Sequence, residues 1–258
     1  MNHNSLTGFL TIIAYEVKSC SRESYYAFFA PLITVILSLI VIGGILGQQI
    51  GKIHGVEYLR YFSTGLLLSC ISGSCYNHIA STLFSMRYVA HFSELTASPM
   101  PNRVIVLAYA TCGAITGFVV CLPVNIIILF LLHGKLYSWL LLLALMLFTG
   151  LMFSLLAYIN AMLSKKFKDI SIFENLTLKP LLFFSGIYYD VSSLPDSLQT
   201  LSYFNPLFYL ANAYHVAVLG FDWSVKPVYS SAVFLFSALA FLVIAIKLTD
   251  RQELSFNP

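Results

Sequence analysis

The chain has 258 residues, 59% of them apolar and only 10% charged, where a soluble domain carries roughly 25% charge. So few charges cannot clothe a water-soluble fold of this size, and uncharged runs longer than about 18 residues read instead as helices crossing a bilayer. A net charge of +3, from 14 basic and 11 acidic residues dispersed along the chain, argues against nucleic acid as a partner, which calls for clustered Lys and Arg.

Met1-Asn2-His3-Asn4-Ser5 lacks the basic start and short apolar core of a cleaved signal peptide. Over residues 6–24, Leu6, Phe9, Ile13, Val17 and Cys20 recur at three- and four-residue steps opposite Thr7, Thr11, Lys18 and Arg22. That pattern predicts an amphipathic helix lying in the membrane interface. No charge separates Glu23 from Lys52, and residues 27–47 form the first span, with Tyr25, Tyr26, Phe28 and Phe29 as an interfacial aromatic belt. The second span, 60–82, carries Ser63, Thr64, Ser69, Ser72, Ser74, Asn77 and His78, so it packs against protein rather than lipid.

Residues 104–132 and 136–163 are two further uncharged runs, joined so briefly at His133-Gly134-Lys135 that they form an antiparallel hairpin. The fifth span, 170–188, is apolar apart from Glu174 and Lys179, and Pro180 should kink it. Lys179 needs a partner such as Glu174, or must snorkel toward the near face; a five-residue spacing suits that pair poorly on an α-helix. The sixth span is 228–247. Between the last two, residues 189–227 are broken by Pro195, Asn205-Pro206, Asn212 and Gly220, which predicts two short helices in a re-entrant outer hairpin. The fold class is thus an all-α integral membrane protein of six spans in a single domain. With the N-terminus inside, nine Lys and Arg fall on inner segments against four on outer ones, so both termini are expected in the cytoplasm.

Catalytic chemistry is thinly supplied. No HExxH, GxSxG or CxxC pattern occurs, and five cysteines without metal-ligand spacing predict neither a structural disulfide nor a metal site. His78 and His215 lie in apolar runs, as packing residues or as functional intramembrane groups. The nearest approach to a phosphate-binding loop, Gly47-Gln48-Gln49-Ile50-Gly51-Lys52-Ile53, is one residue short and lacks the magnesium-binding hydroxyl. If ATP drives this protein, another chain binds it. Residues 87–101 form an exposed amphipathic segment ending in Pro99-Met100-Pro101.

Several separated motifs resemble the permease subunits of ABC type-2 transporters, in particular those of the bacterial inner membrane: Ile50-Gly51-Lys52-Ile53-His54-Gly55, Glu94-Leu95 with Pro99-Met100-Pro101, Phe167-Lys168-Asp169-Ile170-Ser171, Ser185-Gly186-Ile187-Tyr188-Tyr189, and Asn205-Pro206-Leu207-Phe208-Tyr209. The resemblance covers nearly the whole chain. It implies two copies of the permease in an inner membrane, two separate ABC ATP-binding subunits that carry the ATP and magnesium, and an amphipathic transported substrate such as a drug, lipid or glycolipid.

It also implies that residues 87–101 are the helix coupling the permease to the ATPase. Arg87, His91, Glu94, Pro99 and Pro101 would make the contact, joined by Glu16, Lys18, Arg22 and Glu23 from the interface helix. The substrate path would be lined by Tyr26, Phe29, Ser63, Ser69, Phe183, Phe184 and Tyr188. No cofactor is expected in the chain itself. A stand-alone channel or ion-coupled carrier is the alternative, and it predicts paired midplane charges or internal repeats.

Overall fold

A computed structural model describes residues 3–22, 24–88, 95, 100–131, 136–220 and 227–256. The first helix, α1 (His3–Arg22), begins three residues before the expected amphipathic stretch. The first long apolar segment runs as α2 (Ser24–Ser38), then a π-helical stretch Leu39–Leu46 over the Gly43-Gly44 pair, then one closing α-turn, α3 (Gly47–Ile50). In the π stretch the Gly47 amide donates to the Ile42 carbonyl five residues back, the wider turn that marks such insertions.

A two-stranded hairpin follows, β1 (Lys52–Ile53) and β2 (Val56–Glu57), paired Lys52 to Glu57 and Ile53 to Val56. His54 and Gly55 make its two-residue turn, both at positive φ (48° and 83°). That is the backbone a tight antiparallel hairpin requires, with glycine at the position hardest for a side chain.

The core is α4 (Tyr58–Tyr88), α5 (Asn102–Leu131) and α6 (Trp139–Leu163), which pack mainly on one another. At 31 residues α4 is about 46 Å long, and it is the most deeply enclosed, with Phe62, Leu68, Ile71, Cys75, Tyr76, Ile79 and Leu83 inaccessible. Its serines and threonines are therefore compatible with its position: Ser72 and Thr64 return their hydroxyls to carbonyls of their own helix. Cys70, Cys75, Cys112 and Cys121 are buried thiols, as their apolar runs suggested, with the sulfurs of Cys70 and Cys121 3.0 Å apart between α4 and α5.

The fifth segment is not one regular helix. It runs α7 (Phe167–Phe173), a π turn Glu174–Leu178, and α8 (Lys179–Phe183), and ends five residues earlier than the expected span. The π turn precedes Pro180, whose ring would otherwise press on a carbonyl of the preceding turn. A short 3-10 turn (Val191–Ser193) leads to α9 (Asp196–Phe204) and α10 (Pro206–Leu219), the two helices expected between the last spans. Asn205 separates them by capping α10 through the Leu207 amide, with Pro206 at the first helical position. The last helix, α11 (Pro227–Phe256), is longer than the expected 228–247.

Among the described residues, three helical stretches are long and apolar enough to cross a membrane by composition: Phe29–Ile50, Asn102–Leu131 and Trp139–Leu163. They bear exposed aliphatic and aromatic side chains such as Ile33, Ile126, Phe130 and Leu140, as a lipid-facing surface does.

Candidate functional site

Two ends of the helical bundle and the face between them hold the polar chemistry. At one end, the start of α4 is tied to the turn that follows α8. The Tyr58 hydroxyl donates to the Tyr188 carbonyl at 2.9 Å, and Tyr61 donates to the Gly186 and Tyr189 carbonyls. The Tyr61 ring stacks on His215 at 4.2 Å, and His215 Nδ1 meets the Thr64 hydroxyl at 2.5 Å, which joins α10 to the same place. Gly65 sits where a Cβ would come within 2.5 Å of the Ile187 carbonyl oxygen, so the loop backbone lies directly on the helix.

The β-turn adds a long-range link here, His54 Nε2 to Asp190 Oδ2 at 2.6 Å. Burial opposes ionisation of Asp190, but the Ser192 hydroxyl and amide and the His54 ring all bond the carboxylate and hold its pKa below the ordinary value. Tyr61, Gly186, Asp190, Phe208 and His215 line a cavity of about 20 Å³, room for a single water.

Along the intervening face, Phe183 contacts Tyr188 (5.5 Å), Tyr189 (5.9 Å) and Phe184 (6.4 Å), and Tyr188 lies 5.7 Å from Phe62 of α4. Further along the fifth segment, Asn77 Nδ2 of α4 donates to Glu174 Oε1 at 3.3 Å, Lys179 Nζ lies 3.6 Å from the same oxygen, and Lys179 donates to Asn175 Oδ1 at 2.7 Å. The poor α-helical spacing of Glu174 and Lys179 is resolved by the π turn between them. The Lys179 amide donates to the Glu174 carbonyl, so residues five apart come to lie over one another. Lys179 also reaches back over the preceding turn to Asn175 and Glu174, the direction in which helical side chains lean.

At the opposite end, Arg87 donates to the carbonyls of Ala161 and Ser164, bracing the C-terminal turn of α6 from the last turn of α4. Nearby, the Asn160 amide donates to the Tyr76 hydroxyl at 2.5 Å and Tyr158 pairs with Thr249 of α11 at 2.8 Å. Asp169 accepts the amides of Lys166 and Lys165 (2.9 and 3.0 Å), and these bonds hold its carboxyl below the usual range.

Of the expected ATPase-contacting residues, Glu23, His91, Glu94 and Pro99 lie outside the described residues, as does the side chain of Arg22. Lys18 and Pro101 are exposed. Glu16 departs from the expected surface position: it is buried at 2% exposure, on the side of α1 that packs against α5, because the helix turns that flank inward. Of the expected path residues, Phe29 and Phe183 are exposed, Ser69, Phe184 and Tyr188 half-buried, and the Tyr26 side chain lies outside the described residues. Ser63 is fully buried and gives its hydroxyl to the Leu59 carbonyl of its own helix, so it turns away from any path on this chain. Asn77 and Asn175 were not among the expected site residues. Their signal was that of isolated amides in an apolar run.

These features define a multi-pass helical membrane protein with a polar, partly open face. The chain belongs to the ABC-2 type transporter family, whose model matches residues 7–219. It is 29% identical over 251 residues to the inner membrane transport permease YadH of Escherichia coli (strain K12), which covers 97% of this chain and 98% of that protein. Nodulation protein J of Sinorhizobium fredii (strain NBRC 101917 / NGR234) is 25% identical over 243 residues, 91% of this chain and 92% of that protein. Nodulation protein J of Rhizobium meliloti (strain 1021) is 25% identical over 186 residues, covering 72% and 71%. The family is one of transport permeases rather than enzymes, and membership implies an ABC ATP-binding partner in general.

Proposed function

We propose that the chain is the membrane-spanning subunit of an ATP-driven exporter in a bacterial inner membrane. It works as a pair of copies above two separate ATP-binding subunits and moves an amphipathic or lipid-like substrate out of the cytoplasm. The observation that carries this reading is the fifth segment. Lys179 is 61% exposed within the stretch expected as the fifth span, and a lysine facing lipid at mid-depth costs about 2.5–3.5 kcal/mol. Such a face needs a neighbour other than lipid: a second copy and the path between the copies satisfy it.

On this reading the path is bordered by Tyr26, Phe29, Ser69, Phe183, Phe184 and Tyr188, and residues 87–101 with Lys18, Arg22 and Glu23 meet the ATPase. Glu94 is the central contact. Arg87 contributes by fixing the end of α4 to α6, so that a push on residues 87–101 reaches the spans. Both termini are cytoplasmic, and the two helices within 189–227 form the outer hairpin.

A second reading has one observation in its favour. On it the Glu174 and Lys179 pair, 3.6 Å apart, would serve as the intramembrane charge couple of an ion-coupled carrier.

The deciding experiment is gentle solubilisation from the native membrane, purification through this chain, identification of what accompanies it by mass spectrometry, and assay of ATP hydrolysis. A stoichiometric ABC ATP-binding subunit with ATPase activity is expected. A clean permease with no such partner, driving uptake or efflux with an ion gradient in liposomes, would replace the exporter by the carrier.

A further inference from the structure

The polar cluster on the fifth segment has a sign and a direction. Glu174 and Lys179 lie seven and twelve residues into the segment from Phe167, about 10 and 18 Å along it. The carboxylate is the inner member. It is 20% exposed and anchored by Asn77 from α4, whereas the ammonium is the outer member at 61% exposure, held by Asn175 and Glu174.

A lysine has three N–H donors; one is given to Asn175, and Glu174 at 3.6 Å is an ion pair and not a hydrogen bond, so an ammonium 61% exposed keeps donors for a further partner. A molecule approaching this face meets the positive group first and the negative one only behind it. A cationic head group would therefore be repelled before it reached the carboxylate. An anionic one would gain a charge-assisted hydrogen bond in surroundings of low dielectric. One α-turn further on, and on the same face as Lys179, Phe183 is a large apolar side chain 55% exposed, which suits an alkyl or aromatic tail. A fixed charge beside apolar surface at membrane depth is a site for an amphiphile, since a free inorganic anion would leave that apolar surface unused.

We propose that Lys179, positioned by Glu174 and Asn175 across the π turn, binds the anionic head group (phosphate, sulfate or carboxylate) of an amphipathic substrate, with Phe183 receiving its tail. This rests on the permease reading in placing the fifth segment beside a path.

The test uses the full-length protein purified in an uncharged maltoside detergent and three fluorescently tailed probes of similar tail length: lysophosphatidic acid (anionic), monoacylglycerol (uncharged) and sphingosine (cationic). The wild type should bind the anionic probe at least tenfold more tightly than either other probe. Lys179→Gln should lose that preference by about tenfold, the worth of one charge-assisted hydrogen bond. Lys179→Arg should keep it, which guards against a folding artefact. Glu174→Gln should tighten the anionic probe, because the internal competitor for the ammonium is gone.

Equal binding of the three probes, or a preference unchanged in Lys179→Gln, would overturn the proposal. So would displacement of the anionic probe by millimolar inorganic phosphate, which would make the site one for free anions. A negative binding result leaves ATPase co-purification untouched, and absence of an ATPase leaves the binding result untouched, so the two ideas fail separately.

Discussion

The Tyr61 hydroxyl shares its proton between the Gly186 carbonyl at 2.6 Å and the Tyr189 carbonyl at 3.0 Å, so one side chain of α4 closes the turn that follows α8. Because the ring also stacks on His215, Tyr61→Phe removes the hydrogen bonds and keeps the packing. Two carbonyls then lose a donor in a largely buried turn, at a cost of about 1–3 kcal/mol. Scanning fluorimetry of the detergent-purified variant should give a clearly lower melting temperature than wild type. An unchanged one would mean that the turn is held by Gly65, Ile187 and the apolar contacts alone.

Arg87 is the second fastening, at the other end of α4. Its terminal nitrogen Nη1 reaches two carbonyls at the end of α6, Ala161 and Ser164, from a half-buried position that a shorter and more strongly hydrated ammonium fills less well. Arg87→Lys should therefore recover only part of what Arg87→Gln loses. In the exporter complex both variants should lower substrate-stimulated ATPase activity through a loosened α4–α6 joint while the ATPase still co-purifies. If either variant instead releases the ATPase, Arg87 is a contact residue and the bracing role is wrong.

The long apolar helices were legible in the sequence because hydropathy runs report them directly: α5 and α6 lie within a few residues of 104–132 and 136–163. What stayed hidden needed either a break in periodicity or a partner far away in sequence. Glu174 and Lys179 looked mismatched because a π turn leaves no mark in a pattern of 3.6 residues. His54 and Asp190 are 136 positions apart, and nothing local in Ile53-His54-Gly55 announces an acid. Glu16 looked like a surface charge because an amphipathic pattern gives the faces of a helix but not which flank its neighbours cover.

Acid should loosen the link between the β-turn and the loop after α8. The Asp190 carboxyl is held below its ordinary value of 3.8 in the folded chain, so the stability it contributes is fully present above that value. It is lost as pH falls through the lower folded value, where the carboxylate gains a proton. Asp190→Asn removes the negative charge at every pH and should flatten this part of the acid limb. Opening of the Gly186–Ser193 segment, read as amide exchange divided by its intrinsic rate at each pH from 5 to 2, should rise with acid in the wild type and be high and level in the variant. A wild-type rise that Asp190→Asn fails to remove would assign the acid response to other carboxylates.

The topology can be tested at two exposed positions that flank the fifth segment. Ser193 lies in the turn after α8 and Lys166 immediately before α7, and both side chains are exposed. On the exporter reading the first faces outward and the second the cytoplasm, since Lys165, Lys166 and Lys168 make the basic cluster that cytoplasmic loops favour. Single cysteines at these positions, in a background where Cys20, Cys70, Cys75, Cys112 and Cys121 are serine or alanine, should label differently in intact cells. Ser193→Cys should react with a membrane-impermeant maleimide, and Lys166→Cys only after the membrane is opened. The reverse pattern would invert the chain and put residues 87–101 on the wrong side for an ATPase. Labelling of both from outside would mean that the fifth segment fails to cross, and the lipid-exclusion argument for Lys179 would fall with it.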